Sequence, residues 1–184
     1  EFRRVLFRSM AKTMEDGSLL FSFWGMDTAK DAKYLFPLYL KKELVFGSRE
    51  SYFVHYGTLL KYSSIFDSLV EEFSQWSRSS GRMNNMVLNI IGFSMGAAIG
   101  EIAALHFHEI VGDIVEVRSG LVAPYKAVQE YPGKIYVSSR DLFPKWPFFA
   151  KGPLVKEVIK SPNSWLSVIG NHYHLKECIK NGSF

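Results

Sequence analysis

Short apolar runs alternate with amphipathic stretches along the chain. The runs have the length of strands, and they predict strands at 19–24, 51–56, 86–93, 114–117, 134–138 and 165–169. The stretches with apolar residues at every third or fourth position predict helices at 28–44, 65–76, 95–109 and 154–160. Strands and helices that alternate at this spacing favour a mostly parallel sheet, because parallel neighbours need crossover connections. We therefore predict an α/β fold, with a doubly wound sheet covered by helices on both faces.

The clearest pair of elements lies in the middle of the chain. Residues 86–93 read MVLNIIGF, which is typical of a buried strand, and the stretch behind them is rich in alanine and isoleucine. Before this pair, four large apolar residues recur on one face of a predicted helix: Ile65, Leu69, Phe73 and Trp76. The polar stretch 77–85 behind that helix predicts a solvated loop. Pro37 is expected to kink or split the helix predicted at 28–44.

The first nine residues, EFRRVLFRS, stand apart from the rest. They correspond to a translated sequencing adapter, so we predict that 1–9 is a non-native leader and that the natural chain begins near Met10. Residues 10–184 are then expected to form a single domain. The leader carries three arginines and one glutamate, so its removal lowers the formal net charge from +4 to +2. Such a small excess does not favour a nucleic-acid partner.

Composition narrows the class of protein further. With 47% hydrophobic and 22% charged residues, the 184-residue chain has the profile of one globular domain. It has no run of about 18 apolar residues and no signal-peptide core after Met10, so we expect no stable membrane insertion and a cytoplasmic location. The single cysteine, Cys178, leaves no internal disulfide and no cysteine-based zinc site. No histidine pair has the i, i+4 spacing of a zinc-binding helix, so no metal is expected.

A G-x-S-x-G motif joins the strand at 86–93 to the helix behind it. The motif consists of Gly92, Phe93, Ser94, Met95 and Gly96. Its position between a strand and a helix is what a nucleophile elbow requires, because a sharp turn there lifts the serine above the sheet. We predict Ser94 as a nucleophile, with the Met95 N–H and the helix dipole stabilising a developing oxyanion. The alternative is a glycine-rich turn with a helix-capping serine.

A nucleophilic serine needs a base to accept its proton and a carboxylate to orient that base. Asp141 follows the strand at 134–138 and is the predicted carboxylate; the alternative is a turn aspartate or an ion pair with Arg140. Beyond the last predicted strand, His172 follows a Gly-Asn turn and is our first choice of base, with His174 as the alternative. The other histidines are assigned no catalytic role: His55, His106 and His108.

The oxyanion needs a second backbone donor, which we expect after an earlier strand. The run LLFSFWGMD fits that place, so we predict that the N–H of Trp24 is this second donor, with Gly25 and Met26 as its neighbours. The alternative is an aromatic turn that packs on the core. A competing loop is Tyr56-Gly57-Thr58.

Together these features resemble the α/β-hydrolase superfamily over nearly all of residues 19–178. They are the strand and turn at LLFSFWGMD, the GFSMG elbow, the Asp-x-x-Pro loop at Asp141 and the histidine after the last strand. The first two motifs look like those of pimeloyl-carrier-protein methyl esterases, and the Gly57-Thr58 turn resembles that of class 3 lipases. The chain departs from the superfamily at Ser22-Phe23, where most members have His-Gly.

The resemblance implies a minimal α/β-hydrolase fold without a large cap. Only about sixteen residues separate the strands predicted at 114–117 and 134–138, which is too few for the helical cap of many members. An open site is therefore expected. Aromatic residues beyond Asp141 are expected either to line this substrate site or to pack in the core: Phe143, Trp146, Phe148 and Phe149.

The expected activity is hydrolysis of a carboxylic ester through an acyl-enzyme, on a small-molecule ester or acyl substrate and without a cofactor. A thioesterase or a class 3-type lipase would use the same residues. An alternative of a different class is a non-catalytic binding protein with the same fold, which the Ser22-Phe23 departure favours. A flavodoxin-like nucleotide binder is disfavoured, because WGMDTAKD has one glycine and an acidic residue where phosphate would bind.

Overall fold

The structure is a computed structural model and describes residues 3–5, 9–25, 41–46, 50–80, 86–122, 124–125, 127–129, 131–138 and 155–159. The described strands are β1 (Arg3–Val5), β2 (Ser9–Thr13), β3 (Leu19–Phe23), β4 (Lys41–Phe46), β5 (Glu50–His55), β6 (Met86–Phe93), β7 (Val115–Val122), β8 (Lys134–Ser138) and β9 (Val155–Ile159). The described helices are α1 (Tyr56–Ser80) and α2 (Met95–Val111).

Seven of these strands form one mostly parallel sheet, in the order β1-β2-β3-β6-β7-β8-β9. At one edge β2 is antiparallel to both β1 and β3. The pairs β3–β6, β6–β7, β7–β8 and β8–β9 are parallel. The strands β4 and β5 form a separate antiparallel hairpin. Leu88 and Ile90 of the central strand β6 are fully buried on the face that the described helices cover, whereas Ile91, on the opposite face, is 42% exposed. The predicted α/β class with a mostly parallel sheet is confirmed.

Both described helices pack against the same face of the sheet. The ring of Phe107 in α2 contacts the rings of Phe21 in β3 and Phe73 in α1, with centroid separations of 5.5 Å in each case. Burying an aromatic ring of this size contributes roughly 2 to 3 kcal/mol. The small residues of α2 let it approach the strands closely: a Cβ at Gly100 would lie 2.5 Å from Cδ2 of Leu121. Neither α1 nor α2 is apolar over a stretch long enough to cross a membrane.

The connection between β7 and β8 is tied to the β4–β5 hairpin. The His55 N–H donates to the carbonyl of Ala127 at 2.7 Å, and the Gln129 N–H donates to the carbonyl of Phe53 at 2.9 Å. This connection spans only residues 123–133. It is therefore too short to hold a large helical cap, as expected.

One helix prediction was wrong, and another was wrong at its end, where a neighbouring strand competes for the same residues. The helix predicted at 28–44 fails at its end, because Lys41–Phe46 is strand β4 and pairs with β5. The helix predicted at 154–160 is wrong, because Val155–Ile159 is strand β9 and pairs in parallel with β8. Three of the five residues in β9 are β-branched, and a pairing partner lets that preference prevail. The remainder of the first helix, at 28–40, and the strand predicted at 165–169 lie outside the described residues.

Other predicted helices and strands are of the expected type but begin or end at different residues. The helix predicted at 65–76 is α1, which begins at Tyr56 and continues to Ser80, so 77–80 is helical rather than part of a loop. The strand predicted at 114–117 begins at Val115 and extends to Val122. The strands predicted at 86–93 and 134–138 are confirmed. Part of the predicted leader forms β1, which pairs with β2.

Candidate active site

Ser94 lies at the turn between β6 and α2. Its backbone has φ 57° and ψ −125°, and it is the only non-glycine residue with a positive φ among those that the structure describes. Such a conformation costs of order 1–3 kcal/mol, so the surroundings must hold it. The Ser94 N–H donates to the carbonyl of Val122 at 3.0 Å, and the Ser94 carbonyl accepts from the Ala98 N–H at 3.1 Å. A strained serine held at the end of a central strand is the geometry of a nucleophile elbow.

The glycines around Ser94 are required because other backbone passes too close for a side chain. A Cβ at Gly92 would lie 2.7 Å from the Cα of Ala97. A Cβ at Gly96 would lie 2.5 Å from the carbonyl oxygen of Trp24. The spacing of the motif therefore follows from tight packing of the elbow against its own helix and against the end of β3.

The turn after β3 lies directly beside the serine. A Cβ built on Gly25 would be 3.1 Å from the Cβ of Ser94 and 3.6 Å from its Oγ. Trp24 keeps 37% of its surface exposed, whereas the Met95 side chain is buried. The N–H groups in the first turn of a helix have no acceptor within the helix. The structure thus brings Ser94, Met95, Trp24 and Gly25 together at the carboxyl end of the sheet.

The competing glycine-threonine loop is engaged in capping a helix. The Thr58 N–H donates to Nδ1 of His55 at 3.2 Å, so the His55 side chain caps α1. The Thr58 Oγ1 lies 3.0 Å from the same Nδ1 and is hydrogen-bonded to the Tyr125 hydroxyl. Because Nδ1 accepts a hydrogen bond, the neutral ring carries its proton on Nε2. Thr58 is only 1% exposed, and its N–H is directed into the cap.

We expect His55→Ala to destabilise the protein through this cap. Loss of a helix N-cap costs about 1–2 kcal/mol, which for a chain of this size lowers Tm by roughly 2 to 8 °C. Thermal unfolding measures the effect. The control is His108→Ala, on an exposed position of α2, which should change stability by no more than about 0.5 kcal/mol. A His55 variant as stable as the wild type would show that the cap contributes nothing.

A buried carboxyl group lies on α2, seven residues after Ser94, where the sequence analysis assigned no role. Glu101 is 1% exposed, and its Oε2 accepts a hydrogen bond from the Val128 N–H at 2.9 Å. Burial raises the pKa of Glu101 well above its usual value, and the Val128 hydrogen bond opposes that rise. Its one sequence signal was its spacing, because a residue seven positions from Ser94 returns to the same side of a helix.

We expect Glu101→Gln to become more stable than the wild type as the pH rises. The pKa of Glu101 is raised on folding, so the wild type loses stability as the pH rises above the usual value of 4.5 towards the folded-state pKa. Glutamine has no proton to lose, and its amide oxygen still accepts from the Val128 N–H. Each tenfold difference in proton affinity is worth about 1.4 kcal/mol, or roughly 3 to 6 °C in Tm.

The measurement is Tm for both proteins between about pH 4 and about pH 8. Glu109→Gln, the same change at an exposed position of α2, is the control and should follow the wild-type curve. If the Glu101→Gln curve also runs parallel to that of the wild type, the carboxyl is not stabilised in its protonated form by burial.

The two histidines of α2 have different surroundings. His106 packs between the helices, with its ring stacked on Phe66 at 4.5 Å and its Nδ1 2.9 Å from the Tyr62 hydroxyl. Burial lowers the pKa of His106. His108 is exposed. Both positions match the expectation that these residues serve packing or the surface.

The remaining predicted site residues lie outside the described residues. They are the carboxylate Asp141, the bases His172 and His174, the oxyanion neighbour Met26, and the aromatic residues Phe143, Trp146, Phe148 and Phe149. Their roles stay predictions.

Comparison with known proteins finds similarity in structure alone. No protein-family model matches the chain, and no curated protein matches it. Lipase II from Rhizopus niveus has a TM-score of 0.65 and 15% identity, over 83% of this chain and 62% of that one. A triacylglycerol lipase whose catalytic centre is formed by a serine protease triad has a TM-score of 0.62 and 14% identity, over 86% of this chain and 65% of that one. The lipase from Rhizopus microsporus var. chinensis has a TM-score of 0.57 and 14% identity, over 85% of this chain and 58% of that one.

At such low identity the similarity shows a shared fold. The shared fold is that of the lipase structures named above. The resemblance to pimeloyl-carrier-protein methyl esterases gains no support from these comparisons. The chain spans between about half and two thirds of the length of the lipase structures that it matches.

Proposed function

We propose that the chain is a serine hydrolase that cleaves a carboxylic ester through an acyl-enzyme. The observation that carries this proposal is the strained backbone of Ser94, whose Oγ faces the Gly25 turn. Residues with backbone strain of this kind persist only where the surrounding structure holds them, and they cluster at active sites. The alternative of a capping serine is disfavoured, because within the described residues the Ser94 side chain makes no capping hydrogen bond to α2.

In the first half of the proposed reaction, the Oγ of Ser94 bonds to the ester carbonyl carbon while His172 takes its proton. The bond to the alcohol oxygen then breaks as His172 gives the proton to that oxygen, which leaves Ser94 acylated. A water molecule, deprotonated by His172, attacks the acyl carbon, and Ser94 leaves with the proton. Asp141 orients the imidazole and stabilises its charged form. The chemistry requires no cofactor.

We assign the oxyanion to the N–H groups of Met95 and Trp24, with Gly25 beside them. Two contacts favour this turn over the Gly57-Thr58 loop. Gly25 approaches the Oγ of Ser94, whereas the Thr58 N–H is already donated to His55. A donor of this kind typically lowers the barrier by about 3 kcal/mol.

The proposed substrate is a small-molecule ester or acyl compound. Support comes from the solved structures that share the fold, which include triacylglycerol lipases. The exposed part of Trp24 offers an apolar surface next to Ser94, and we assign Phe143, Trp146 and Phe148 to the same substrate site. A thioester would react with the same groups, because attack on its carbonyl carbon follows the same course.

A fluorophosphonate probe, which reacts with activated serines, tests the proposal. The wild type is expected to be labelled at Ser94, and Ser94→Ala is expected to lose the label. Ser119→Ala removes a serine of β7 that is hydrogen-bonded to Tyr131, and it serves as the matched control that retains the label. A folded wild type that stays unlabelled would favour the non-catalytic binding protein instead.

The choice of base is tested with p-nitrophenyl esters of increasing acyl length. We expect His172→Ala and Asp141→Asn each to lower kcat by roughly 10⁴-fold, and His174→Ala to change kcat by less than about tenfold. A large loss in His174→Ala with an active His172→Ala would exchange the roles of the two histidines. Full activity in both variants would refute the triad.

A further inference from the structure

One short segment is joined at both ends to the elbow and its helix. The Ser94 N–H donates to the carbonyl of Val122, the last residue of β7, at 3.0 Å. Six residues later, the Val128 N–H donates to Oε2 of Glu101 at 2.9 Å. Ser94 directly precedes α2, and Glu101 lies on the second turn of that helix. Both anchors therefore belong to one rigid unit, and the segment 122–128 runs between them.

The other side of this segment is attached to β5 and α1. The Tyr125 hydroxyl is hydrogen-bonded to Oγ1 of Thr58. The carbonyl of Ala127 accepts from the His55 N–H at 2.7 Å. Tyr125 and Ala127 are thus attached to α1 and β5, while Val122 and Val128 are attached to the elbow and to α2.

A carboxyl group is a costly way to fill the position of Glu101. An aliphatic side chain of similar size would avoid the loss of hydration that burial imposes. It would, however, leave the Val128 N–H without its acceptor. The titratable groups that sense the charge of Glu101 among the described residues are the hydroxyls of Tyr125 and Tyr131, and neither is a cation. Among the described residues, the hydrogen bond from the Val128 N–H is the interaction that gives a physical reason for a carboxyl here.

We propose that Glu101 is a positioning residue for the nucleophile. By holding Val128, it fixes the segment whose first carbonyl, that of Val122, holds the Ser94 N–H and so maintains the strained backbone of the serine. The proposal rests on the hydrolase function proposed above.

The test compares Glu101→Leu, Glu101→Gln and the exposed control Glu109→Gln. The readout is kcat with a p-nitrophenyl ester, divided by the number of serines that the fluorophosphonate titrates, so that unfolded protein does not count. We expect Glu101→Leu to lower kcat roughly 10- to 100-fold with a smaller change in KM, because a slight displacement of a reacting group has effects of that size. Glutamine is expected to restore kcat, because its amide oxygen accepts from the Val128 N–H. The Glu109→Gln variant should match the wild type.

A Glu101→Leu enzyme with the kcat of the wild type would overturn the proposal, and so would a Glu101→Gln enzyme as impaired as Glu101→Leu. If leucine prevents folding, Glu101→Met takes its place, since the flexible thioether fills similar space with only a weak acceptor.

Amide hydrogen exchange in the wild type tests the same link without any substitution. The N–H groups of Ser94 and Val128 are expected to open together, with protection that agrees within about tenfold. Protection at Ser94 more than about 100-fold greater than at Val128 would show that the elbow holds without Glu101. Because hydrogen exchange needs no activity, it tests the role of Glu101 even if Ser94 proves unreactive. An unreactive Ser94 would refute the proposed hydrolase function, not the link between Glu101 and the elbow.

Discussion

Ser94→Ala is expected to lower the kcat of ester hydrolysis by roughly 10⁴- to 10⁶-fold, to a residual rate that the oxyanion hole and substrate binding keep above the rate without enzyme. In enzymes with a serine nucleophile, loss of that serine removes nearly all of the catalysis that the triad supplies as a unit. The measurement is hydrolysis of the p-nitrophenyl ester that the wild type cleaves best. Because Ser94 is not part of the apolar core, the Ser94→Ala protein should stay folded.

Ser94→Gly is expected to be equally inactive but more stable than the wild type. Glycine adopts a positive φ without the steric cost that a Cβ imposes, so relief of the strain at φ 57° should stabilise the fold by about 1 kcal/mol. In a chain of this size that raises Tm by roughly 2 to 4 °C.

The same substitution at Ser63, an exposed position within α1, is the matched control. There it should lower stability by about 0.5 kcal/mol, because glycine is a poorer helix former than serine. A Ser94→Gly protein that is active, or that loses stability as Ser63→Gly does, would show that position 94 is neither a nucleophile nor a strained site.

Gly96→Ala is expected to disrupt both the elbow and the fold. The added Cβ would meet the carbonyl oxygens of Phe23 and Trp24, the second at 2.5 Å, and neither backbone group can move without shifting the end of β3. Overpacking of this kind costs about 1–3 kcal/mol and sometimes more, which lowers Tm by up to roughly 12 °C. Since the displaced turn is the proposed oxyanion loop, kcat/KM should also fall by about 100-fold or more.

Gly120→Ala is the matched control for this prediction. A Cβ at Gly120 in β7 would meet Cγ2 of Ile91 at 3.5 Å, which is an ordinary contact. Its effect on stability should lie between none and a gain of about 1 kcal/mol, because alanine reduces the freedom of the unfolded chain. Thermal unfolding and ester hydrolysis of the two variants provide the comparison. Equal behaviour of Gly96→Ala and Gly120→Ala would contradict the close approach of β3 to the elbow.

Local sequence was sufficient for the elements around Ser94. The run MVLNIIGF predicted β6 with its observed bounds, and the stretch behind it predicted α2 to within two residues of its end. An apolar run, two glycines and a series of helix formers have the same preferences wherever they lie in a fold. The prediction of a mostly parallel sheet followed from the same information, since a helix between two strands provides the crossover that parallel strands need.

Local sequence was not sufficient where two structures compete for one stretch. The residues of β4 and β9 have patterns that also fit helices, and their pairing with β5 and β8 decided the outcome. Pairing energy comes from a strand distant in the sequence, so the pattern of a single stretch does not contain it.

By itself, then, the sequence determined that a serine stands at a glycine-flanked turn between a buried strand and a helix, because those preferences are local. Only the tertiary structure decided that the Gly25 turn lies beside this serine and that the Thr58 N–H is donated to the His55 side chain, since the direction of a backbone N–H depends on which partner it meets. It alone also revealed the buried Glu101, because a charged residue on a helix becomes buried only when a distant segment, here the one containing Val128, folds over it.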